Sequence, residues 1–485
     1  MAIASTERLF GKLLLPILIG ICSTIIAILL ETLDYRTALA ITFGLCIGGI
    51  SIYFLNQKVL TYIFIIVLGI GMPFNLDANI YLRKYIGVSS VDIGITFISS
   101  LILYAVFYYE HIVSGMTRFC SNRMLIFAMF LYMGSGILSF YNASSKELVI
   151  LELIRLLMLL IIFYIVMNFG SREYISVFII TLSIGVFLEF LLAFYQYRTG
   201  HFLGLTVFGE TPQAELGYIS RASGTFSHAN GLAYFFELLI PLLFAMLIVE
   251  ENKLLKFWYI LSFLFGIFGL VITQSRGGWL ATAISLPIVF VVLYRKRFSQ
   301  TKYFGSIVFG IIGVIVLGFI IYPTVVKRIT AYDYGSAGTR RPLNLAAISI
   351  IKQHPVVGIG MNNFAQVFRT YDTTGGSSLF KKSAHVVHNL FLGVWTETGT
   401  IGIITFIWIF LSAFVVSSNL LFKVPFWYSG VLVGVSAGLL AQLVHGMFDP
   451  GFRVLMSTSM LVYSLIGLIG AVSVLYKAKD KQLLQ

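Results

Sequence analysis

Two arginines lie at the edges of long apolar runs, where a charged side chain needs an anionic partner. Arg221 stands in SRASGTFSHANGLA (220–233), just before one apolar run, and Arg276 stands in QSRGGWLA (274–281), between two others. Neither block contains an acidic residue. Because a guanidinium group binds phosphate oxygens in pairs, these arginines indicate a phosphate ligand. The alternative is that both reach lipid head groups or pair with distant carboxylates.

A histidine opens HNLFLGVWTETGTIGI (388–403), where a long polar segment meets another apolar run. The imidazole of His388 can accept a proton near neutral pH, since the ordinary pKa of histidine is about 6.5. His385 could join it around a metal ion, but no third carboxylate or cysteine ligand lies nearby. We therefore predict no metal site, and either proton transfer or an inert interfacial histidine.

The composition shows which elements must position these side chains. Of the 485 residues, 58% are hydrophobic and 11% are charged, whereas soluble domains carry about 25% charged residues. The apolar residues form blocks of about 17–25, the length that crosses a bilayer as a helix. A single soluble core, a collagen-like chain, a disordered chain and a disulfide framework are excluded. Only three cysteines occur.

We predict an all-α, polytopic integral membrane protein with about fourteen transmembrane helices and a large extracytoplasmic loop that carries short interfacial helices. The apolar windows lie near residues 12–30, 37–55, 59–73, 91–109, 124–140, 148–168, 174–195, 230–249, 255–273, 277–294, 304–322, 401–421, 428–446 and 454–476.

Charge asymmetry orients these helices. With a cytoplasmic N-terminus, basic residues in the inside segments outnumber those in the short outside loops by about two to one, the expected bias. Both termini are therefore predicted to be cytoplasmic. The long outside segments are then 196–229 and 323–400, and long loops are usually functional. Within the second, LNLAAISIIKQHP (343–355) has helical apolar spacing and is predicted to lie on the outer leaflet.

Other polar residues have simpler interpretations. Glu152 and Arg155, three residues apart in one predicted helix, can form an ion pair, to which Glu189 of the next helix could be added. Asp449, just before a Pro-Gly pair, is typical of a turn residue that hydrogen-bonds locally. We predict structural roles for all four.

Four ordered blocks of the chain resemble the bacterial O-antigen ligase and polymerase superfamily. They span about residues 220–405, and their patterns are R-x-x-GTF-x-H-x-N, QSRGG, GTRRPLNLAAISIIKQHPVVGIGMNNF (338–364) and HN-x-F-x(4)-TE-x-G-x-IG. Four ordered blocks are far more specific than a single short motif. Before the first block, the resemblance extends only to hydrophobicity.

The resemblance implies an inverting glycosyltransferase without a cofactor. It would take glycan from an undecaprenyl-diphosphate carrier and join it to an acceptor hydroxyl at the outer face of the bacterial cytoplasmic membrane. By position, Arg221 and Arg276 would bind the donor diphosphate, and His388 would activate the acceptor. Arg340 matches a recurrent arginine of the family, although Arg341 beside it leaves the assignment ambiguous. The auxiliary candidates are His385, Arg341 and Glu397.

The implied division of the chain is a scaffold at 1–195, a catalytic transmembrane region at 196–476 and a cytoplasmic tail at 477–485. The implied partners are a lipid-linked glycan donor, a glycan or lipid-linked acceptor, membrane lipid and a chain-length regulator, with no nucleic acid. We favour a polymerase, because fourteen helices exceed the dozen that the resemblance implies for a ligase. A ligase, a lipid or polysaccharide transporter, and a structural subunit of an export complex are the alternatives.

Overall fold

The computed structural model describes residues 56–74, 77–81, 90–114, 121–210, 221–297, 336–374 and 386–483. The predicted windows at 12–30, 37–55 and 304–322, like His385, lie outside the described residues. The predicted boundaries of scaffold, catalytic region and tail stay predictions.

The described residues form thirteen α-helices and one short β-hairpin. In chain order these are α1 (Gln57–Ile70), β1 (Asp77–Tyr81), β2 (Ser90–Gly94), α2 (Ile95–Ser114), α3 (Arg123–Ser139), α4 (Lys146–Met167), α5 (Arg172–Thr199), α6 (Ala229–Val249), α7 (Lys253–Ile272), α8 (Arg276–Arg297), α9 (Ser336–Gln353), α10 (Phe364–Val367), α11 (Leu390–Leu421), α12 (Phe426–His445) and α13 (Met456–Leu483). Strands β1 and β2 pair antiparallel, with Asp77 opposite Gly94, a small departure from the all-α prediction.

Nine helices of the described segments are long and apolar enough to cross a membrane. They coincide with nine of the predicted windows, and the windows at 59–73 and 91–109 correspond to shorter apolar helices, α1 and most of α2. The prediction of a helical integral membrane protein is confirmed at this level. The total of about fourteen helices stays a prediction.

Helices α6 and α12 pack closely through glycines on α12. Gly430, Gly434 and Gly438 recur every four residues, and a Cβ atom at Gly434 would lie 2.7 Å from the Cα atom of Leu242. A Cβ atom at Gly438 would overlap the backbone carbonyl of Leu238. Small residues at this spacing allow helix backbones to approach closely inside a membrane. The start of α6 and the end of α12, which carry many of the buried polar side chains described below, are thereby fixed against each other.

Helix α11 begins eleven residues before the predicted window and is broken at Gly399, where φ is 66° and ψ is −168°. Residues 355–360 cross α11 at this break. The Ile359 amide donates to the Thr396 carbonyl at 3.1 Å, and the Thr400 amide donates to the Pro355 carbonyl at 2.8 Å. The crossing segment therefore satisfies backbone groups that the break in the helix exposes.

Most of the predicted helix at 343–355 is observed as part of α9, and its position on the outer leaflet stays a prediction. Its apolar face is buried inside the protein, where it meets side chains from the segment that follows it and from the start of α11. The buried residues of this small core are Leu343, Ala346, Ala347, Ile350, Ile359, Phe364, Phe368 and Val387. An apolar face covered by protein is not available to lipid.

We expect Gly399→Ala to destabilise the protein, because its Cβ atom would overlap the Val356 carbonyl and because an L-residue is strained at this φ and ψ. Backbone strain alone costs about 1–3 kcal/mol. The measurement is the midpoint of thermal unfolding in detergent. Gly134→Ala on α3 is the matched control, since no described atom lies within 4 Å of its added Cβ. Equal midpoints for the two variants would contradict this description of the helix break.

Candidate active site

A buried carboxylate, Asp449, lies at the centre of a polar cluster between α12 and α13. It is 6% exposed, and it accepts hydrogen bonds from the side-chain amide of Asn230 at 2.8 Å and from the hydroxyl of Tyr234 at 2.5 Å. The Nδ1 atom of His388 lies 3.7 Å from Oδ2 of Asp449. The guanidinium of Arg340 lies 4.0 Å from the same oxygen. We call these residues, with Arg221 and His228 described below, the Asp449 cluster.

Arg221 joins the Asp449 cluster through Asn230. Its Nε atom donates to the Thr273 carbonyl at 2.9 Å, and Nη2 donates to the side-chain oxygen of Asn230 at 2.8 Å. Asn230 therefore links the guanidinium of Arg221 to the carboxylate of Asp449. Arg276 is exposed and begins α8, three residues after Thr273. The turn that anchors Arg221 thus also carries Arg276.

The loop that carries Arg221 is held by α5. The side-chain oxygen of Gln196 accepts hydrogen bonds from the Ser223 and Gly224 amides at 3.0 and 2.8 Å. The Thr225 hydroxyl donates to Glu189 at 2.5 Å. Gly224 has a φ of +59°, and its added Cβ atom would overlap the Glu189 carboxyl. The glycine of the GTF motif is therefore required for the close fit of this loop on α5.

His228, the histidine of the same motif, caps α6. Its Nδ1 atom accepts a hydrogen bond from the backbone N–H of Asn230 at 3.0 Å, which places the ring proton on Nε2. Desolvation by the surrounding protein, followed by the positive charge of Arg221, lowers the pKa of His228. We infer that His228 is neutral near pH 7. The motif contained this residue, but its type and spacing alone did not distinguish it from His388.

Asp449 stays ionised within the cluster. Burial by itself raises the pKa of its carboxyl, but His388, the charge of His445 and the hydrogen bond from Tyr234 outweigh burial and lower that pKa. A charged carboxylate beside Nδ1 of His388 favours a proton on that nitrogen and leaves Nε2 to act as the base. The prediction that Asp449 bonds only within its turn is wrong, because its partners come from α6, α9 and the start of α11.

The remaining predicted site residues, Arg340, Arg341 and Glu397, lie in different environments. Arg340 approaches Asp449, whereas Arg341 is exposed. Glu397 lies in a second polar cluster, where it is 8% exposed and forms an ion pair with Arg453. Of these three, only Arg340 shares the environment of Asp449.

That second cluster contains the predicted pair of Glu152 and Arg155, which is observed at 2.9 Å. Arg453 lies 3.9 Å from Glu152, in addition to its ion pair with Glu397. We call these four residues the Glu152 cluster. The predicted addition of Glu189 is wrong, because Glu189 turns instead towards Thr225.

A third polar array lies deeper and fixes the start of α8. Nδ1 of His445 lies 2.8 Å from Glu237, and Nε2 lies 3.4 Å from the Ser275 hydroxyl. Gln442 donates to the other oxygen of Glu237 at 2.7 Å. The order of hydroxyl, imidazole and carboxylate resembles a nucleophilic triad. However, His445, Glu237 and Ser275 are each at most 2% exposed, so we interpret the array as the support of the turn that bears Arg276.

Within the described segments, no group of three or more histidine, cysteine or acidic side chains is arranged to hold a metal ion. The Asp449 cluster instead offers one carboxylate to several cations. Its chemistry is therefore that of an anion site with a histidine at its edge.

Residues 261–407 match the family model described as O-antigen ligase. This interval covers less than a third of the chain and includes three of the four resemblance blocks, those with Arg276, Arg340 and His388. The block with Arg221 precedes it. No curated protein matches the chain. The match agrees with membership of the O-antigen ligase and polymerase superfamily and confirms the resemblance predicted from the sequence.

We expect Asp449→Ala to lower the free energy of unfolding by about 3 kcal/mol or more, because it leaves buried donors and nearby cations uncompensated. The matched control is Asp372→Ala. Asp372 accepts hydrogen bonds from the backbone amide and the hydroxyl of Thr374 within a local turn, so its loss should cost about 1 kcal/mol or less. Thermal unfolding in detergent compares the two variants. Similar losses would show that Asp449 acts merely as a turn residue.

Proposed function

We propose that this protein is an inverting glycosyltransferase that polymerises undecaprenyl-diphosphate-linked repeat units of a cell-surface polysaccharide at the outer face of the cytoplasmic membrane. The match to the O-antigen ligase model supports an activity of ligase or polymerase type. The observation that carries the assignment of residues is the convergence of Arg221, Arg340 and His388 on Asp449. Arg276 begins the helix beside this cluster.

The donor side of the reaction needs positive charge. When the glycosyl bond breaks, its electron pair goes to a diphosphate oxygen, and fixed cations stabilise the charge that develops there. Arg221, Arg276 and Arg340 supply three positive charges against the one carboxylate of Asp449. Two hydrogen bonds orient the guanidinium of Arg221 before any ligand binds, which lowers the cost of organising the site.

The acceptor side needs a base. An acceptor hydroxyl attacks the anomeric carbon, its oxygen forms the new glycosidic bond, and its proton passes to Nε2 of His388. A single displacement of this kind inverts the anomeric centre. Asp449 faces the opposite nitrogen of the same ring at 3.7 Å, so it stabilises the imidazolium that forms.

Polymerase and ligase share this chemistry and differ in the acceptor. We favour the polymerase, in which a second lipid-linked repeat is the acceptor, with a chain-length regulator as a further partner. The test is to incubate the purified protein with one lipid-linked repeat unit. A ladder of products supports polymerisation, and transfer only after addition of lipid A core or a wall acceptor supports ligation. Accumulation in sealed vesicles without a new glycosidic bond would instead indicate a transporter.

We expect His388→Ala to lower turnover by about 10²–10⁴-fold, the usual contribution of a general base, with little change in donor binding. His354→Ala is the matched control, since His354 bonds Tyr371 at 2.9 Å in the adjoining loop. Turnover is measured as formation of the glycosidic bond at saturating donor. If both histidine variants kept full turnover, His388 would not be the base.

We expect Arg221→Lys to raise the donor KM by about 10-fold or more, because one ammonium cannot reproduce two oriented donors of the guanidinium and a charge-assisted hydrogen bond contributes about 1.5–3 kcal/mol. Arg341→Lys is the control at an exposed arginine. Initial rates over a series of donor concentrations give the comparison. An unchanged donor KM in Arg221→Lys would remove Arg221 from the diphosphate site.

A further inference from the structure

A cavity adjoins the Glu152 cluster at the start of α11. All four charged residues of that cluster line it, together with Asn362 and Gly393. Its other walls come from the first residues of α10, from the turn before α13 and from the residues around the start of α11, which are Val386, Val387, Asn389 and Leu390. The cavity thus lies between transmembrane helices and the chain around the start of α10.

The charges of this cavity balance. Glu152 pairs with Arg155 at 2.9 Å, and Glu397 pairs with Arg453, so two carboxylates face two guanidinium groups. A balanced set presents donors and acceptors without attracting either an anion or a cation. Asn362 and Asn389 line the same wall, and the side chain of Asn389 is held by the Met447 carbonyl and the Leu392 amide. This lining suits a neutral ligand that is rich in hydroxyl groups, and it contrasts with the cation excess of the Asp449 cluster.

One buried donor of the lining lacks a partner. The side chain of Arg155 is 4% exposed, and its Nε atom has no hydrogen bond to any group in the described part of the chain. A buried N–H group left unpaired costs about 1–3 kcal/mol. The Nε atom is enclosed by protein, so Arg155 contributes polarity to the wall of the cavity, but its Nε is not a donor that is open to it.

The cavity is lined by the chain neighbours of the proposed base, although His388 itself does not line it. Val387 and Asn389 line it on either side of His388, and Pro450 lines it next to Asp449. His388 thus separates a positively charged cluster from a neutral polar cavity. A sugar in the cavity would therefore contact the chain neighbours of His388, and its hydroxyl would have to extend past them to reach the imidazole.

We propose that this cavity is the acceptor subsite and that it binds an uncharged sugar of the acceptor glycan through hydroxyl groups. The proposal rests on the function proposed above and assigns to the Glu152 cluster a binding role beyond its ion pairs. The donor diphosphate is assigned to the Asp449 cluster instead, because the positive charge there is in excess whereas the charges of the cavity balance.

Gly393 allows the cavity to be filled without breaking an ion pair. An added Cβ atom there would meet, among described atoms within 4 Å, only the Cβ of Val387 at 3.8 Å. Gly393→Ala should therefore fit, and Gly393→Leu should occupy the space where the sugar is proposed to bind. Gly134→Leu is the matched control, because no described atom lies within 4 Å of a Cβ atom on that helical glycine.

The test uses the lipid-linked repeat unit of the source organism as donor and the delipidated repeat-unit oligosaccharide as acceptor. We expect Gly393→Leu to raise the oligosaccharide KM by about 10-fold or more, with the donor KM unchanged. Gly134→Leu should stay within about twofold of the wild type. An unchanged oligosaccharide KM in Gly393→Leu, or an equal rise in Gly134→Leu, overturns the proposal.

Ligand-induced thermal stabilisation separates this inference from the proposed function. We expect the oligosaccharide to raise the unfolding midpoint of the wild type but not of Gly393→Leu, while inorganic diphosphate stabilises both and fails to stabilise Arg221→Ala. Oligosaccharide stabilisation that persists in Gly393→Leu, or that is missing from the wild type, overturns the acceptor subsite. A wild-type protein that binds oligosaccharide but forms no glycosidic bond from the lipid-linked donor refutes the proposed function and leaves a sugar site.

Discussion

The Asp449 cluster depends on one constraint, which is that positive charges at the edge of a low-dielectric region need a negative group close by. Desolvated guanidinium and imidazole groups are costly unless a negative group lies close by, and Asp449 supplies one. Its low pKa follows from the partners that outweigh its burial. Because a single carboxylate faces several cations, the cluster keeps an excess of positive charge. That excess makes it suitable for an external anion, and the same carboxylate lies 3.7 Å from Nδ1 of His388.

Close helix packing makes this compensation possible. Glycines on α12 let the backbone of α6 approach closely, so Tyr234 from α6 reaches the turn that follows α12. The buried pair of Glu237 and His445 links the same two helices and continues to Ser275 at the start of α8. Arg276 therefore starts from a rigid support, although its own side chain is exposed. The charged side chains of such a site are held in place before a ligand binds by the small and buried residues that pack beneath them.

The break in α11 lies beside the Glu152 cluster. The charges of this second cluster balance, whereas the Asp449 cluster has an excess of positive charge. Gly399 interrupts the helix, the crossing segment restores its hydrogen bonds, and Glu397 just before the break turns into the Glu152 cluster. His388 lies where the two environments meet. A transfer reaction between a charged donor and a neutral acceptor needs separate environments for the two. The cations that stabilise a leaving diphosphate would otherwise also attract the acceptor oxygen once it has lost its proton.

The sequence alone determined the helical membrane class, nine of the long apolar helices, the pair of Glu152 and Arg155 and the family resemblance, because hydrophobic block length, helical spacing and ordered motifs are local properties. Tertiary structure decided that Arg340 rather than Arg341 approaches Asp449, that Asp449 serves partners from distant segments, and that the apolar face of α9 is covered by protein. These outcomes depend on how helices far apart in the chain pack together. Local sequence carries no record of that packing beyond the small residues that permit it.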